Sequence, residues 1–226
     1  MPMPPYSEEE FTRARKEMIR EQLIARGIED PQVLLAISKV PRHRFVPLRY
    51  RAKAYQDRAL PIEKGQTISQ PYIVAFMTQA LGLRGGETVL EVGTGSGYQA
   101  AVLAQIAGQV YSIERYPELA EQARTLLQEL GYTNIEIRVG DGSQGWPEQA
   151  PYDGIIVTAA APEVPAPLVE QLKVGGRLVI PVGSRQEQVL YRLRKTEDGV
   201  QTERMIGCVF VPLIGTCGWQ EEGDPE

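Results

Sequence analysis

Three features of the 226-residue sequence predict an α/β protein. The expected architecture is a mostly parallel, doubly wound sheet of seven strands with an antiparallel edge, preceded by an N-terminal helical extension. From Gly85-Gly86 onward, short apolar runs alternate with helical stretches, the pattern of parallel strands covered on both faces. The first run, TVLEVG (88–93), opens into a glycine-rich loop and then a helix, and an acidic residue closes the second run. The last two runs alternate in polarity with only EDGV (197–200) between them, which marks an antiparallel pair at the sheet edge.

The elements follow in order. Residues 1–6 read as a proline-rich, frayed leader. Ser7 caps a helix whose first turn holds Glu8, Glu9 and Glu10, favourable at the positive end of the dipole. Phe11, Ala14, Met18 and Leu23 form its apolar stripe, and Gly27 stops it. Asp30-Pro31 restarts a short helix that buries Val33, Leu34, Ile37 and Val40. Pro41 and Pro47 bracket an irregular segment. A helix over 72–81 presents Ile73, Phe76, Met77 and Ala80 on one side. Beyond it come strand 88–93, helix 97–107, strand 110–114, helix 117–130, strand 135–141 and strand 152–160. A helix over 164–172, closed by Gly175-Gly176, leads to strand 177–183; segments 189–195 and 203–213 form the edge pair. Residues 1–80 therefore read as a helical extension carrying an active-site loop, and 81–226 as the core of one compact unit.

Composition narrows the function. Hydrophobic content of 42% and charged content of 23% are globular values, and the net charge is −5. No basic stripe advertises nucleic-acid binding, and no apolar run approaches the roughly 20 residues that span a bilayer. The start MPMPPYSEEE has neither the basic beginning nor the apolar centre of a signal peptide. Cys208 and Cys217 fit no metal-ligand spacing and read as free thiols in a reducing cytoplasm. His43 is the single histidine, so a histidine-rich zinc site is excluded.

The stretch LEVGTGSGY (90–98) carries the chemistry. Gly93, Gly95 and Gly97 let the backbone approach a bound group, and the helix that follows offers free N–H groups. Glu114 ends the next strand about 20 residues after Gly93, the spacing at which an acid reaches a ribose diol. A dinucleotide loop asks for G-x-G-x-x-G. Its third glycine would fall on Tyr98, or on Ala100 if the count starts at Gly95, so that reading is strained yet open. The pattern present is acid-x-G-x-G-x-G, with Glu91 two residues before Gly93. This is the signature of S-adenosylmethionine-dependent methyltransferases of Rossmann-like fold. Their ligand has an amino-acid tail and a sulfonium in place of a pyrophosphate, so an acid near the loop suits it. Asp141 in GDG (140–142) ends the third strand, placed to accept a hydrogen bond from an adenine amino group or simply to make a turn.

The uncharged segment GQTISQPYIV (65–74) poses a second question: Ser69 is a nucleophile, a ligand-holding hydroxyl or a turn residue. A nucleophile needs an activating base. His43 is the sole histidine, and the segment lacks the G-x-S-x-G elbow.

From about residue 16 to residue 213 the sequence resembles the protein-L-isoaspartate O-methyltransferase family. The landmarks are VPRHRFVP (40–47), ALPIEKGQTISQP (59–71), LEVGTGSGYQ (90–99), GDGSQGWPEQAPYD (140–153), TAAAPEVP (158–165) and LKVGGRLVIPVG (172–183). The resemblance implies a Rossmann-like S-adenosylmethionine methyltransferase fold in which the last two strands are exchanged relative to other members of the class. It implies methyl transfer from S-adenosyl-L-methionine to L-isoaspartyl carboxylates of damaged proteins and peptides, and more weakly to D-aspartyl ones, with repair through a succinimide. It places cofactor contacts on Gln66, Thr67, Ile68 and Ser69, on Glu91, Gly93, Thr94, Gly95 and Gly97, on Glu114 and Arg115, and on Asp141 and Gly142. The family's catalytic serine falls on Ser69, as a hydroxyl that orients the substrate carboxylate or closes over the methyl donor. No metal, nucleic acid or membrane is implied, and a monomer is expected. The tail after Leu213 departs from the family, so Ile214 and Gly215 are left without a role. The competing functions are a methyltransferase acting on a small molecule or RNA, a nicotinamide-dependent dehydrogenase, and a non-catalytic adenosyl-ligand sensor.

Overall fold

A computed structural model describes residues 6–221, so most of the expected leader, 1–5, lies outside it. Helix α1 (Glu8–Met18) begins in a full capping box: Ser7 Oγ accepts from the Glu10 N–H, and the Glu10 carboxylate accepts from the Ser7 N–H. It continues through a wide turn and a tight one to Gly27. Asp30 caps α2 (Pro31–Lys39) by accepting from the N–H groups of Gln32 and Val33. Leu34 is only half-buried; Ala36, with Val33 and Ile37, forms the inner face instead.

After two short tight-turn segments, β1 (Leu60–Pro61) and β2 (Thr67–Ile68) form a small antiparallel hairpin where the sequence predicts a loop. Helix α3 (Pro71–Leu81) starts at once, with Pro71 in its first turn. Its inward side differs from the expected one: Val74, Ala75, Met77, Thr78 and Ala80 are buried, whereas Ile73 and Phe76 are half-buried.

The main sheet contains β3 (Thr88–Val92), β4 (Gln109–Glu114), β5 (Ile135–Val139), β6 (Tyr152–Val157), β7 (Leu172–Gly183), β8 (Gln188–Thr196) and β9 (Gly199–Cys208). Their order is β5-β4-β3-β6-β7-β8-β9; the pairs from β5 through β7 are parallel and the last two antiparallel. Helices α4 (Tyr98–Ala104), α5 (Pro117–Glu129) and α6 (Ala166–Glu170) supply the crossovers. Successive strand residues face two apolar clusters: Val89, Ile156 and Val179 point to one, and Leu90, Ile155 and Leu178 to the other. Burial on both faces explains why these strands read as continuous apolar runs. The first cluster also takes in Phe11, Met18 and Ile37, so the helical extension is the cover of that face.

Two expected boundaries move. The helix expected over 164–172 is only α6, because Leu172 pairs with Tyr152 and begins a long strand that runs through Gly175-Gly176. The last strand ends at Cys208 instead of 213. Beyond it the Phe210 N–H donates to Gln188 Oε1 and the Ala160 N–H donates to the Val211 carbonyl, which carries the chain back over the sheet.

Candidate active site

The parallel strands end at a cleft of about 940 Å³, counted to its open mouth. Residues 66–69 form one wall and the glycine loop the other. Open α/β sheets bind ligands at this edge. Gln66, Thr67, Ile68, Ser69, Gly93, Thr94, Gly95, Glu114, Arg115 and Gly142 all line it.

The loop's shape follows from its sequence. Gly93 sits at φ +96°, and a Cβ there would come within 2.4 Å of Thr158 Oγ1. That hydroxyl donates to the Gly93 carbonyl at 2.7 Å and ties the loop to the end of β6. Glu114 closes the loop from the other side, accepting from the Gly95 N–H at 2.8 Å and from the Tyr116 N–H at 3.0 Å. A carboxylate has about four acceptor positions, so capacity remains for two hydroxyl donors. Val92, Ile113 and Leu213 give the cleft apolar walls. An adenosyl group, with a flat apolar ring and a ribose diol, fits this donor and acceptor set.

Three expected contact residues stand outside the cleft lining. Glu91 is fully buried beneath the loop, where Ser112 Oγ donates to it at 2.5 Å and in turn meets Thr94 Oγ1 at 2.6 Å. Burial pushes its pKa up to about 8, against that hydrogen bond and with Glu114 adding to the rise. It therefore shapes the loop from below as a neutral acid. Gly97 faces α5, where a Cβ would lie 3.2 Å from Ala123 Cβ, so its smallness serves helix packing. Asp141 is turned toward the chain's own tail: its carboxylate accepts from Ser143 N and Oγ, from Gln144 Nε2 and from the Thr216 N–H at 2.7 Å. Burial opposes ionisation there, but these hydrogen bonds outweigh it and hold the Asp141 pKa down at about 2.

The tail thus becomes a strap across one end of the cleft. Val211, Pro212, Leu213 and Ile214 line the cleft. The Leu213 N–H and Trp219 Nε1 both donate to the Ala160 carbonyl, and the Cys217 N–H donates to Ser143 Oγ. Arg115 pairs with Glu221 at the far end. The sequence reading assigned no role to Ile214 or Gly215; the usable signal was an apolar VPLI segment after an edge strand.

Ser69 is half-buried and lines the cleft. Its backbone carbonyl accepts from Arg42 Nη2 at 2.7 Å, while Arg42 Nε donates to the Ala54 carbonyl at 2.7 Å. Arg42 is fully buried, 4.8 Å from the Tyr98 ring centre, and burial lowers its pKa to about 10. Attention to His43 in the same PRHRFVP segment missed this clamp. An arginine set among Val40, Phe45 and Val46 was the available signal. His43 itself is buried, stacked 3.9 Å from Phe11 and bonded through Nδ1 to the Tyr55 hydroxyl at 2.9 Å. Its Nε2 lies 3.5 Å from a Glu8 carboxylate oxygen, and it is not among the residues that line the cleft. Among the described residues no acidic, histidine or cysteine cluster could hold a metal ion, and no helix is long and apolar enough to cross a membrane.

A family model described as protein-L-isoaspartate(D-aspartate) O-methyltransferase matches residues 13–218. A protein-L-isoaspartate O-methyltransferase from Methanoculleus marisnigri is 57% identical over 213 residues, which cover 94% of this chain and 97% of that one. A solved protein-L-isoaspartate O-methyltransferase superposes with a TM-score of 0.80 at 31% identity, over 90% of this chain and 67% of the other. A Plasmodium falciparum structure assigned to the same activity, in complex with S-adenosyl-L-homocysteine, gives 0.75 at 27% identity over 88% and 98% of the two chains.

Proposed function

Since the chain belongs to the protein-L-isoaspartate(D-aspartate) O-methyltransferase family, we propose how its own residues carry out that family's reaction. The enzyme methylates the free carboxylate of L-isoaspartyl residues, and more weakly of D-aspartyl residues, in damaged proteins and peptides. The ester then collapses to a succinimide and repair begins. Bound S-adenosyl-L-methionine supplies the sulfonium methyl group, which passes to a carboxylate oxygen while sulfur keeps the bonding pair.

The attacking carboxylate has a reference pKa near ~4, so it is already ionised at neutral pH and no general base is needed. What this chain supplies is placement. Good orientation is worth roughly 7–11 kcal/mol of barrier. Ser69 donates its hydroxyl to the carboxylate and aims it; Arg42 fixes the backbone from which Ser69 reaches. Gln66, Thr67 and Ile68 close over the donor, and Ile68, itself buried, excludes water. Gly93, Thr94 and Gly95 cradle the amino-acid tail, and Glu114 takes the ribose diol. Arg115 and Gly142 flank the adenosyl group, with Glu91, Gly97 and Asp141 acting through the loop, helix and strap they hold.

The observation that carries this reading is the cleft that residues 66–69 and the glycine loop line together. Residues 1–80 act as an extension bearing the active-site segment on a core of 81–226. The net charge of −5 and the absence of a basic stripe favour protein substrates over nucleic acid. A monomer working in the cytoplasm completes the proposal. The test is incubation with labelled S-adenosyl-L-methionine and matched isoaspartyl and aspartyl peptides. Base-labile methyl ester on the isoaspartyl peptide alone is expected; equal labelling of both, or of neither, overturns the reading.

A further inference from the structure

A second groove, about 870 Å³ to its mouth, runs away from the cleft and shares Thr67, Ser69, Thr158 and Val211 with it. A substrate whose isoaspartyl carboxylate sits at Ser69 must lead its chain out through an opening, and this groove begins at Ser69. Its walls include half-buried Ile73 and Phe210, and Val209, which is 74% exposed. Two charged residues line it, Asp57 and Arg58. Asp57 is neutralised by Arg26 at 2.8 Å, and Arg26 is itself held 3.5 Å over the Tyr72 ring. Arg58 is exposed, and its guanidinium makes no hydrogen bond or ion pair among the described residues. The groove therefore carries one uncompensated charge, and it is positive.

Resting on the function proposed above, we propose that this groove takes the residues flanking the isoaspartyl site and that Arg58 selects an acidic side chain among them. A glutamate there would lay its methylene groups along Val209 and Phe210 and present two oxygens to a planar fork that matches them. An exposed pair of this kind is worth roughly a fewfold in affinity and weakens with salt.

The experiment measures KM for isoaspartyl peptides that carry one glutamate, glutamine or lysine at each of the two positions on either side. In wild type, glutamate at one flank lowers KM roughly threefold to fivefold relative to glutamine, and 0.5 M salt erases the difference. Arg58→Gln abolishes the preference, and Arg58→Glu transfers it to the lysine peptide. A spread below twofold at every position, or a glutamate preference that survives in Arg58→Gln, overturns the assignment. Methylation of the glutamine peptides separates the two readings. If it occurs without charge preference, only the role of Arg58 falls; if no isoaspartyl peptide is methylated, the function itself falls.

Discussion

Replacing Glu91 by glutamine tests whether the carboxyl beneath the glycine loop is held neutral by its surroundings. An unfolded glutamate titrates near 4.5, whereas in the fold Glu91 titrates near 8. Between those two values the folded chain keeps a proton that the unfolded chain has released, so stability falls as pH rises, by about 1.4 kcal/mol per unit. The accumulated loss is about 3 kcal/mol at pH 7 and about 4 kcal/mol at pH 8, and it fades below pH 4.5. Glutamine has the shape of the protonated acid, accepts from Ser112 through its carbonyl, and never ionises. Glu91→Gln should therefore melt higher than wild type at pH 7 by roughly 6–12 °C, at about 2–4 °C per kcal/mol for a chain of this size. The gap should widen toward pH 8 and close by pH 4.5. Thermal unfolding followed by circular dichroism across pH 4.5–8, without cofactor, reads this directly, since bound ligand would add its own stabilisation. A glutamine variant no more stable than wild type at pH 7–8, or a gap that ignores pH, refutes burial as the cause.

Three other outcomes are expected. Ser69→Ala should lower turnover roughly tenfold to a hundredfold, the loss of one hydrogen bond to a charged group, with S-adenosyl-L-methionine affinity measured by calorimetry within about twofold of wild type; near-normal turnover removes Ser69 from the reaction. Arg42→Lys keeps the charge but cannot span the Ala54 and Ser69 carbonyls with one compact ammonium, so turnover should drop by roughly tenfold and denaturant unfolding should show a loss of about 1–3 kcal/mol. Asp141→Asn should loosen the strap and weaken cofactor binding by roughly tenfold, on the scale of one charged hydrogen bond. Because its folded pKa is held down at about 2 from 3.8, the stability Asp141 contributes is present above pH 3.8 and is lost as pH falls toward 2, where acid unfolding of variant and wild type should converge.

The fold was legible where local chemistry and global packing agree. Ser7 with Glu10, Asp30 with Pro31, and the apolar strands β3, β4 and β6 each announce themselves in a few residues. The boundary between α6 and β7 was not, because Val164, Leu168 and Leu172 fit a helical spacing equally well, and only pairing with Tyr152 makes Leu172 a strand residue. At the site, residue type and spacing singled out the glycine loop and Glu114, the family resemblance singled out the Ser69 segment, and all of them line the cleft. They could not show direction. Whether Asp141 faces ligand or tail depends on residues 75 positions later in the chain, Thr216 among them. Whether Arg42 faces solvent or the Ser69 carbonyl depends on a contact 27 residues away. Contacts of that range leave no periodic trace in a sequence.

The strap also sets a schedule for the molecule's birth. One wall of the cleft comes from residues 66–69 and another from 211–214. A chain emerging from the ribosome builds the glycine loop, Glu114 and the serine segment long before it has the residues that roof them. Until Thr216 and Cys217 emerge to meet Asp141 and Ser143, the half-made protein exposes its cleft without a closed end. The strap's share of the cleft therefore waits on residues 211–217, which follow the glycine loop by more than a hundred positions.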